Sequence, residues 1–294
     1  MHQKLEVFSH VEAAFLPKNR VKPSHRQDLL LGSLFGILIG ITFLLAKEYF
    51  DNTVRSIDYI ERLGLTILGV IPRIGNGNSK ISTSKSKKND IKFLFGRPEG
   101  KVLRRRLITK EDPKSPISES YRMIRTNILY TQTDQKIKSI LVTSPGPGEG
   151  KSTSVTNLAI TFANLGKKTV LIDADLRKPV IHRIFKMDKE PGLTHFLTGN
   201  IKSHNEIAYK TDVENLHVIP SGIIPPNPSE LLGSKQMLKL IDSLKDEFDL
   251  ILLDSPPISA VTDPLMISDS IDKLVLIVKS GSTHKRMLNR PVSN

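Results

Sequence analysis

An α/β fold with a mostly parallel sheet and helices on both of its faces is predicted for the chain from about residue 138 onward. Short apolar runs alternate there with amphipathic stretches, the order that strand–helix–strand crossovers produce. The runs are continuously apolar, as expected of strands that are buried on both faces. The predicted strands are Ser139–Thr143, Thr169–Ile172, Leu216–Ile219, Leu250–Leu253 and Leu274–Val278, and the clearest helices between them are Ser152–Leu165 and Ser234–Phe248.

A Gly-rich turn joins the first of these strands to the first helix. Residues 143–153 read Thr-Ser-Pro-Gly-Pro-Gly-Glu-Gly-Lys-Ser-Thr. Glycines let backbone N–H groups point inward, and the new helix aims its positive end at the same point, so the turn predicts a phosphate-binding P-loop. Pro145 stands where the strict motif has Gly, and a plain surface turn is the alternative. The residues expected to bind a nucleotide here are Gly146, Gly148, Glu149, Gly150, Lys151, Ser152 and Thr153.

Two further predicted strands end in carboxylates. Asp173 and Asp175 follow the second strand, and Asp254 follows the fourth. An acid at the tip of a buried strand beside a P-loop commonly helps the loop hydroxyl to hold Mg²⁺. Because Mg²⁺ takes only one or two carboxylates, a third acid is left to accept a proton from an incoming hydroxyl. We therefore expect Ser152, Asp173 and Asp254 to hold the metal, Asp175 or Asp173 to act as the base, and Arg177 either to reach phosphate or to pair with an acid.

Composition narrows the class of protein. The 294 residues include no Cys, which excludes a disulfide scaffold and Cys-ligated zinc. The net charge of +13 would suit nucleic acid or an anionic membrane surface. Most of this charge lies between Arg73 and Lys110, where 12 Lys/Arg face two acids. We therefore expect a basic linker, with lipid contacts at Lys85, Lys87 and Lys88 or a solvated tether, and no nucleic-acid partner.

An apolar segment precedes this linker. Leu29–Ala46 contains 18 residues without a charge, which just reaches the length that crosses a bilayer. The segment is apolar on every face, whereas a soluble helix usually has a polar side. Basic residues concentrate on the cytoplasmic side of a span. The basic linker follows the segment, and a P-loop needs ATP, which is found in the cytoplasm. We therefore expect the N-terminal flank outside the cell membrane and the rest of the chain in the cytoplasm.

The chain is therefore divided into four parts. Residues 1–28 are an extracytoplasmic stub, residues 29–47 a transmembrane helix, residues 48–110 a juxtamembrane segment with the basic linker, and residues 111–294 the P-loop domain. In the third part we expect mainly helix and then a short strand, Leu65–Pro72. The fourth part should open with a helix over Pro116–Tyr130, with Ser118 as a possible cap and one apolar stripe at Ile117, Tyr121, Ile124 and Ile128.

The three motifs together resemble those of a known family. Residues 146–153, 173–177 and 252–257 are similar to the Walker A, A′ and B motifs of the bacterial tyrosine kinases, autokinases that control capsular and exopolysaccharide assembly. The resemblance implies phosphoryl transfer from Mg·ATP to tyrosine, presented in trans by a neighbouring subunit. Residues 221–232 also resemble the linker before the family's next helix. The membrane helix and Leu65–Pro72 are similar to the end of a polysaccharide co-polymerase module, which implies partners in polysaccharide polymerisation and export at the inner membrane.

The same resemblance extends to the predicted helix over Pro116–Tyr130. Glu119, Arg122 and Arg125 match the family's subunit-contact motif, which implies a ring-like homo-oligomer. From the residues alone, their spacing also fits a solvated helix face.

Two departures from the family pattern keep other functions open. Members carry a C-terminal tyrosine cluster as phosphoacceptor, whereas the five tyrosines here are scattered, and the chain looks truncated at both ends. The rival hypotheses are a partition-type ATPase switch and a catalytically silent nucleotide-binding scaffold. Partition ATPases have a second lysine where this chain has Gly146, which argues against the first rival.

Overall fold

The structure, a computed structural model, describes residues 25–72, 107–131, 136–259 and 263–292. The predicted basic stretch with Lys85, Lys87 and Lys88, and most of the predicted stub, lie outside these residues. The chain divides into two compact units, residues 1–52 and residues 53–294.

The first unit contains one described helix, α1, over His25–Tyr49. Within it, Asp28–Tyr49 is a 22-residue stretch that is long and apolar enough to cross a membrane, and none of it is buried. The predicted apolar segment is therefore helical, and it is a candidate membrane span.

The second unit is built on a six-stranded sheet with the order β3-β4-β2-β5-β1-β6. All neighbouring strands are parallel except the edge pair of β3 and β4. The prediction of a mostly parallel sheet is confirmed, and the short antiparallel edge strand is an element that the sequence analysis missed. The strands are β1 Ser139–Thr143, β2 Thr169–Asp173, β3 Tyr209–Lys210, β4 Leu216–Ile219, β5 Leu250–Asp254 and β6 Lys273–Leu276.

Helices cover both faces of the sheet, as predicted. Alternate residues of the central strands point to opposite faces, so that Ile140 and Val142 belong to one core cluster and Leu141 to the other. The helices of this unit are α2 Ile57–Arg62, α3 Ile108–Glu111, α4 Pro116–Tyr130, α5 Lys151–Ala163, α6 Ile181–Phe185, α7 Leu193–Leu197, α8 Pro228–Leu232, α9 Lys235–Glu247, α10 Asp263–Ser268 and α11 Lys285–Val292.

Helix α4 has the predicted bounds but not the predicted cap. The Ser115 hydroxyl accepts the Ser118 backbone N–H, so Ser115 caps the helix. The Ser118 side chain is buried instead and donates to the Asp112 carbonyl at 2.6 Å. The apolar stripe is buried at Tyr121, Ile124 and Ile128, whereas Ile117 is half-buried.

The expected strand Leu65–Pro72 is wrong, and only Ile57–Arg62 is helical between residues 51 and 72. This segment packs on helix α4 rather than on the sheet: Asn127 donates to the Leu68 carbonyl at 2.7 Å, and Ile124 fills the space beside Gly69. Leu68 and Ile71 pack against the core cluster on that face. The apolar run that suggested a strand is therefore a half-buried segment whose hydrogen bond runs to a helix.

Candidate nucleotide-binding site

The P-loop has the backbone that its sequence requires. Strand β1 ends at Thr143, and α5 begins at Lys151. Gly148 and Gly150 have φ of 75° and 98°, in the left-handed region that glycine reaches without strain. Gly150 caps α5 without a side-chain hydrogen bond, so the first-turn N–H groups are left for an anion. Pro145 is buried, and its carbonyl accepts the Ser259 N–H at 3.2 Å, so this position serves as an acceptor.

Lys151 lies among the predicted acids. Its Nζ is 2.8 Å from Asp175 Oδ2 and 3.2 Å from Asp254 Oδ1, and the three side chains are 11%, 6% and 0% exposed. Nζ is also 3.2 Å from Ser152 Oγ. Burial disfavours the ammonium form, but the Asp254 and Asp175 carboxylates outweigh it and raise the pKa of Lys151. Lys151 is therefore a fixed positive charge at the carboxyl ends of β2 and β5.

Asp173 and Asp254 lie side by side at the ends of two neighbouring strands. They are register partners on β2 and β5, and both are fully buried. Asp173 Oδ2 accepts the N–H groups of Val180 and Ile181 at 3.1 and 3.0 Å, but Asp173 Oδ1 and Asp254 Oδ2 have no hydrogen-bond partner among the described residues. Burial and the charge of Asp254 raise the pKa of Asp173 to about 8. Burial also raises the pKa of Asp254, against the pull of Lys151.

These unpartnered oxygens fit a divalent cation, because Mg²⁺ prefers hard oxygen ligands. Within the described ranges, no group of three or more His, Cys, Asp and Glu side chains is arranged to hold a metal ion. One or two carboxylates are enough when phosphate and water oxygens complete the shell, as they do for Mg²⁺ bound with a nucleotide. The site therefore suits a metal that arrives with a phosphate ligand.

Arg177 lies apart from this cluster. Its guanidinium binds Asp263 through two contacts, Nε to Oδ2 at 2.9 Å and Nη2 to Oδ1 at 3.1 Å. Asp263 is fully buried at the start of α10, and the Ser229 hydroxyl of α8 also donates to it. The expected pairing of Arg177 with one of the strand-end acids is wrong, because its guanidinium binds Asp263, which the sequence analysis did not consider. Its predicted contact with phosphate stays a prediction.

Glu149 connects the P-loop to the end of the sheet. Its Oε1 accepts the Thr283 hydroxyl at 2.9 Å, whereas its Oε2 is buried without a hydrogen-bond partner among the described residues. Burial raises the pKa of Glu149, and the hydrogen bond from Thr283 lowers it in part. Thr283 in turn accepts the Val54 N–H through its carbonyl at 2.8 Å. The one signal for Thr283 in the sequence is its position shortly after the last predicted strand.

The three residues of the predicted subunit-contact motif do not share one environment. Arg122 is paired with Glu119 at 2.6 Å on the surface of α4. Arg125 is half-buried and donates to the Thr161 carbonyl of α5 at 2.7 Å, and burial lowers its pKa. Arg125 therefore ties α4 to the P-loop helix within one chain, which the motif did not predict.

His195 has a structural contact. Its Nδ1 accepts the Gly192 backbone N–H at 3.3 Å, at the start of α7. It takes no part in the cluster around Lys151.

The glycine cradle and the acids on two adjacent strand ends define the class, a P-loop nucleotide-binding protein of the α/β type. A family model described as an AAA domain matches residues 137–281. The chain is 44% identical to the tyrosine-protein kinase YwqD of Bacillus subtilis over 186 residues, which are 63% of this chain and 78% of that protein. The chain belongs to the bacterial tyrosine-protein kinases.

Two further similarities extend over more of the chain. The tyrosine-protein kinase ptk of Acinetobacter johnsonii is 32% identical over 279 residues, 95% of this chain but 36% of that protein. The solved structure of the chimerical protein CapA2B2 has a TM-score of 0.66 at 35% identity, and the match covers 79% of this chain and 89% of that one. The described fold is therefore that of its family.

Proposed function

We propose that this protein is a membrane-anchored tyrosine autokinase that transfers the γ-phosphoryl group of Mg·ATP to tyrosine and regulates capsular or exopolysaccharide polymerisation and export. Residues 29–47 anchor it in the inner membrane, and residues 111–294 form the kinase domain on the cytoplasmic side. The observation that carries the proposal is the meeting of Lys151 with the acids of two neighbouring strands at the mouth of the P-loop.

The nucleotide is held by the loop itself. The amides of residues 146–153 and the first turn of α5 bind the phosphates, and the Lys151 ammonium neutralises their charge. In the described structure that ammonium contacts Asp175 and Asp254. Because a buried ammonium keeps its charge only beside anions, Lys151 exchanges one anionic partner for another when phosphate enters.

The acids divide between two tasks. Ser152, Asp173 and Asp254 hold the metal, which supplies charge neutralisation for the transferring phosphoryl group. Asp175 accepts the proton of the incoming tyrosine hydroxyl, since it keeps 4% of its surface exposed while Asp254 is fully buried. Glu149 holds the loop against the end of the sheet through its hydrogen bond with Thr283.

The partners of this function are a second copy of the chain, which presents the tyrosine, and components of polysaccharide polymerisation and export. The Glu119–Arg122 pair on the surface of α4 is available for a ring contact. Arg125 supports that contact from within by fixing α4 on α5.

The test is incubation of the whole chain in detergent micelles with Mg²⁺, ATP labelled in its γ-phosphate, and a tyrosine-rich peptide. Label on tyrosine is expected, and Lys151→Met should abolish it. The exposed Lys239 on α9 provides a matched control, because Lys239→Met removes one lysine without touching the site.

Two other outcomes would replace the proposal. Free phosphate without phosphotyrosine would indicate an ATPase switch, and neither product would indicate a silent nucleotide-binding scaffold. Full phosphotyrosine from Lys151→Met would show that the site is wrongly assigned.

A further inference from the structure

The five tyrosines of the chain differ sharply in accessibility. Tyr121 is 2% exposed, and Tyr49, although 84% exposed, is the last residue of the candidate membrane span and lies two residues past the proposed anchor. Tyr59 and Tyr209 are half-buried, and their hydroxyls donate to the carbonyls of Lys285 and Pro191. Tyr130 is 83% exposed, and its hydroxyl has no hydrogen-bond partner among the described residues. Within residues 53–294, Tyr130 is therefore the tyrosine whose hydroxyl is open to another protein.

Tyr130 ends helix α4, and the position of α4 against α5 decides which active site can reach it. Tyr121 lines one cavity with Ser154 near the start of α5, and Arg125 donates to the Thr161 carbonyl near the end of that helix. The two helices therefore run in the same direction, and Tyr130 lies beyond the level of Thr161. Lys151 begins α5, whose 13 residues give a length of about 20 Å. Tyr130 is on the opposite side of the domain from its own P-loop.

We propose that Tyr130 is a phosphoacceptor of this kinase, modified by the active site of a second copy of the chain. The proposal rests on the proposed function. In the step, the Tyr130 hydroxyl oxygen forms a bond to the γ-phosphorus of ATP while the bond from that phosphorus to the β–γ bridging oxygen breaks. The electron pair leaves with ADP, and the hydroxyl proton passes to Asp175 of the copy that holds the nucleotide.

The modification has a local consequence that follows from its position. A phosphate on Tyr130 adds negative charge at the C-terminal end of α4, where the helix dipole disfavours it. Ile128 and Leu129 in that last turn pack into the core, so phosphorylation should loosen their backbone. Faster amide exchange at the end of α4 is the expected signature.

The experiment uses the full chain in detergent micelles with Mg²⁺ and ATP, followed by mass-spectrometric mapping of phosphotyrosine. Tyr130→Phe should lose most of the phosphotyrosine of the chain while its activity toward a tyrosine-rich peptide is unchanged. Tyr209→Phe is the matched control and should keep the wild-type level, because its hydroxyl is already bonded to Pro191.

A mixing experiment then tests transfer between copies. Lys151→Met chains carrying a size tag serve as acceptor, and untagged Tyr130→Phe chains serve as enzyme. Phosphate on Tyr130 of the tagged chain supports the proposal. A labelled peptide with no phosphate on Tyr130 overturns this inference and leaves the kinase function standing, whereas the absence of all phosphotyrosine overturns both. Two results together would overturn the transfer between copies. In the mixture, Tyr130 of the tagged chain would carry no phosphate, and in the wild type the rate of Tyr130 labelling per chain would not depend on protein concentration.

Discussion

Replacing Asp173 by Asn should stabilise the nucleotide-free protein above neutral pH. Asp173 is fully buried next to Asp254, and burial and that neighbouring charge raise its pKa from 3.8 to about 8. The folded state therefore keeps a proton that the unfolded chain releases near pH 4. Stability contributed by this group falls as pH rises between these two values, by about 1.4 kcal/mol per pH unit.

This change in the free energy of unfolding is large compared with the total stability of a domain. Over the window from pH 3.8 to about 8, the loss amounts to about 5 kcal/mol, compared with a total of roughly 5–15 kcal/mol. Asn has nearly the same shape, and its side-chain oxygen can still accept the N–H groups of Val180 and Ile181. Since it cannot ionise, Asp173→Asn should be more stable than the wild type by about 3 to 5 kcal/mol at pH 8 and should lose phosphoryl transfer.

The assay is urea-induced unfolding of the whole chain in detergent and EDTA between pH 5 and about pH 8.5, chosen to cover the titration of Asp173. Circular dichroism gives the free energy of unfolding at each pH. Asp242 on α9 is exposed, so Asp242→Asn is the control and should keep the wild-type slope. Equal slopes for the wild type and Asp173→Asn would refute the reasoning.

Three further predictions concern the loops around the site. Gly150→Ala places a Cβ at a φ of 98° and should cost about 1–2 kcal/mol with loss of nucleotide affinity in a binding titration, whereas a variant that binds as the wild type does would contradict the assigned cradle. Arg177→Ala leaves the buried Asp263 carboxylate short of its partner and should cost about 2 kcal/mol in urea unfolding; adding Asp263→Asn should recover part of this, and a purely additive double variant would contradict the pairing. Thr283→Val removes the hydroxyl bound to Glu149. It should lower the free energy of unfolding by about 1 kcal/mol and weaken nucleotide binding. A melting curve and a binding titration that both match the wild type would contradict this.

The sheet could be predicted because its signals are local. Each central strand is an uninterrupted apolar run bounded by polar residues, so β1 and β5 were found within one residue of their bounds. The P-loop was found for the same reason, since the strand, the glycines and the helix are contiguous. The edge strand Tyr209–Lys210 was missed because two residues with one polar side chain carry no periodic signal.

The wrong predictions concern residues whose partners lie far away in the sequence. Leu65–Pro72 looked like a strand because it is apolar, but it lies half-buried against α4, and periodicity does not distinguish this from packing in a sheet. Arg177 was expected near the cluster because it is two residues from Asp175. Its partner Asp263 is 86 residues further along the chain, and no local pattern relates them.

The central claim is that the P-loop and the acids of β2 and β5 converge on one metal-bound nucleotide. The direct measurement is electron paramagnetic resonance of Mn²⁺, used in place of Mg²⁺, titrated with ADP and the whole chain. Mn²⁺ should bind tightly only when ADP is present, and Ser152→Ala or Asp254→Asn should weaken this binding. Equal Mn²⁺ affinity with and without ADP, or an affinity that neither substitution changes, would contradict the central claim.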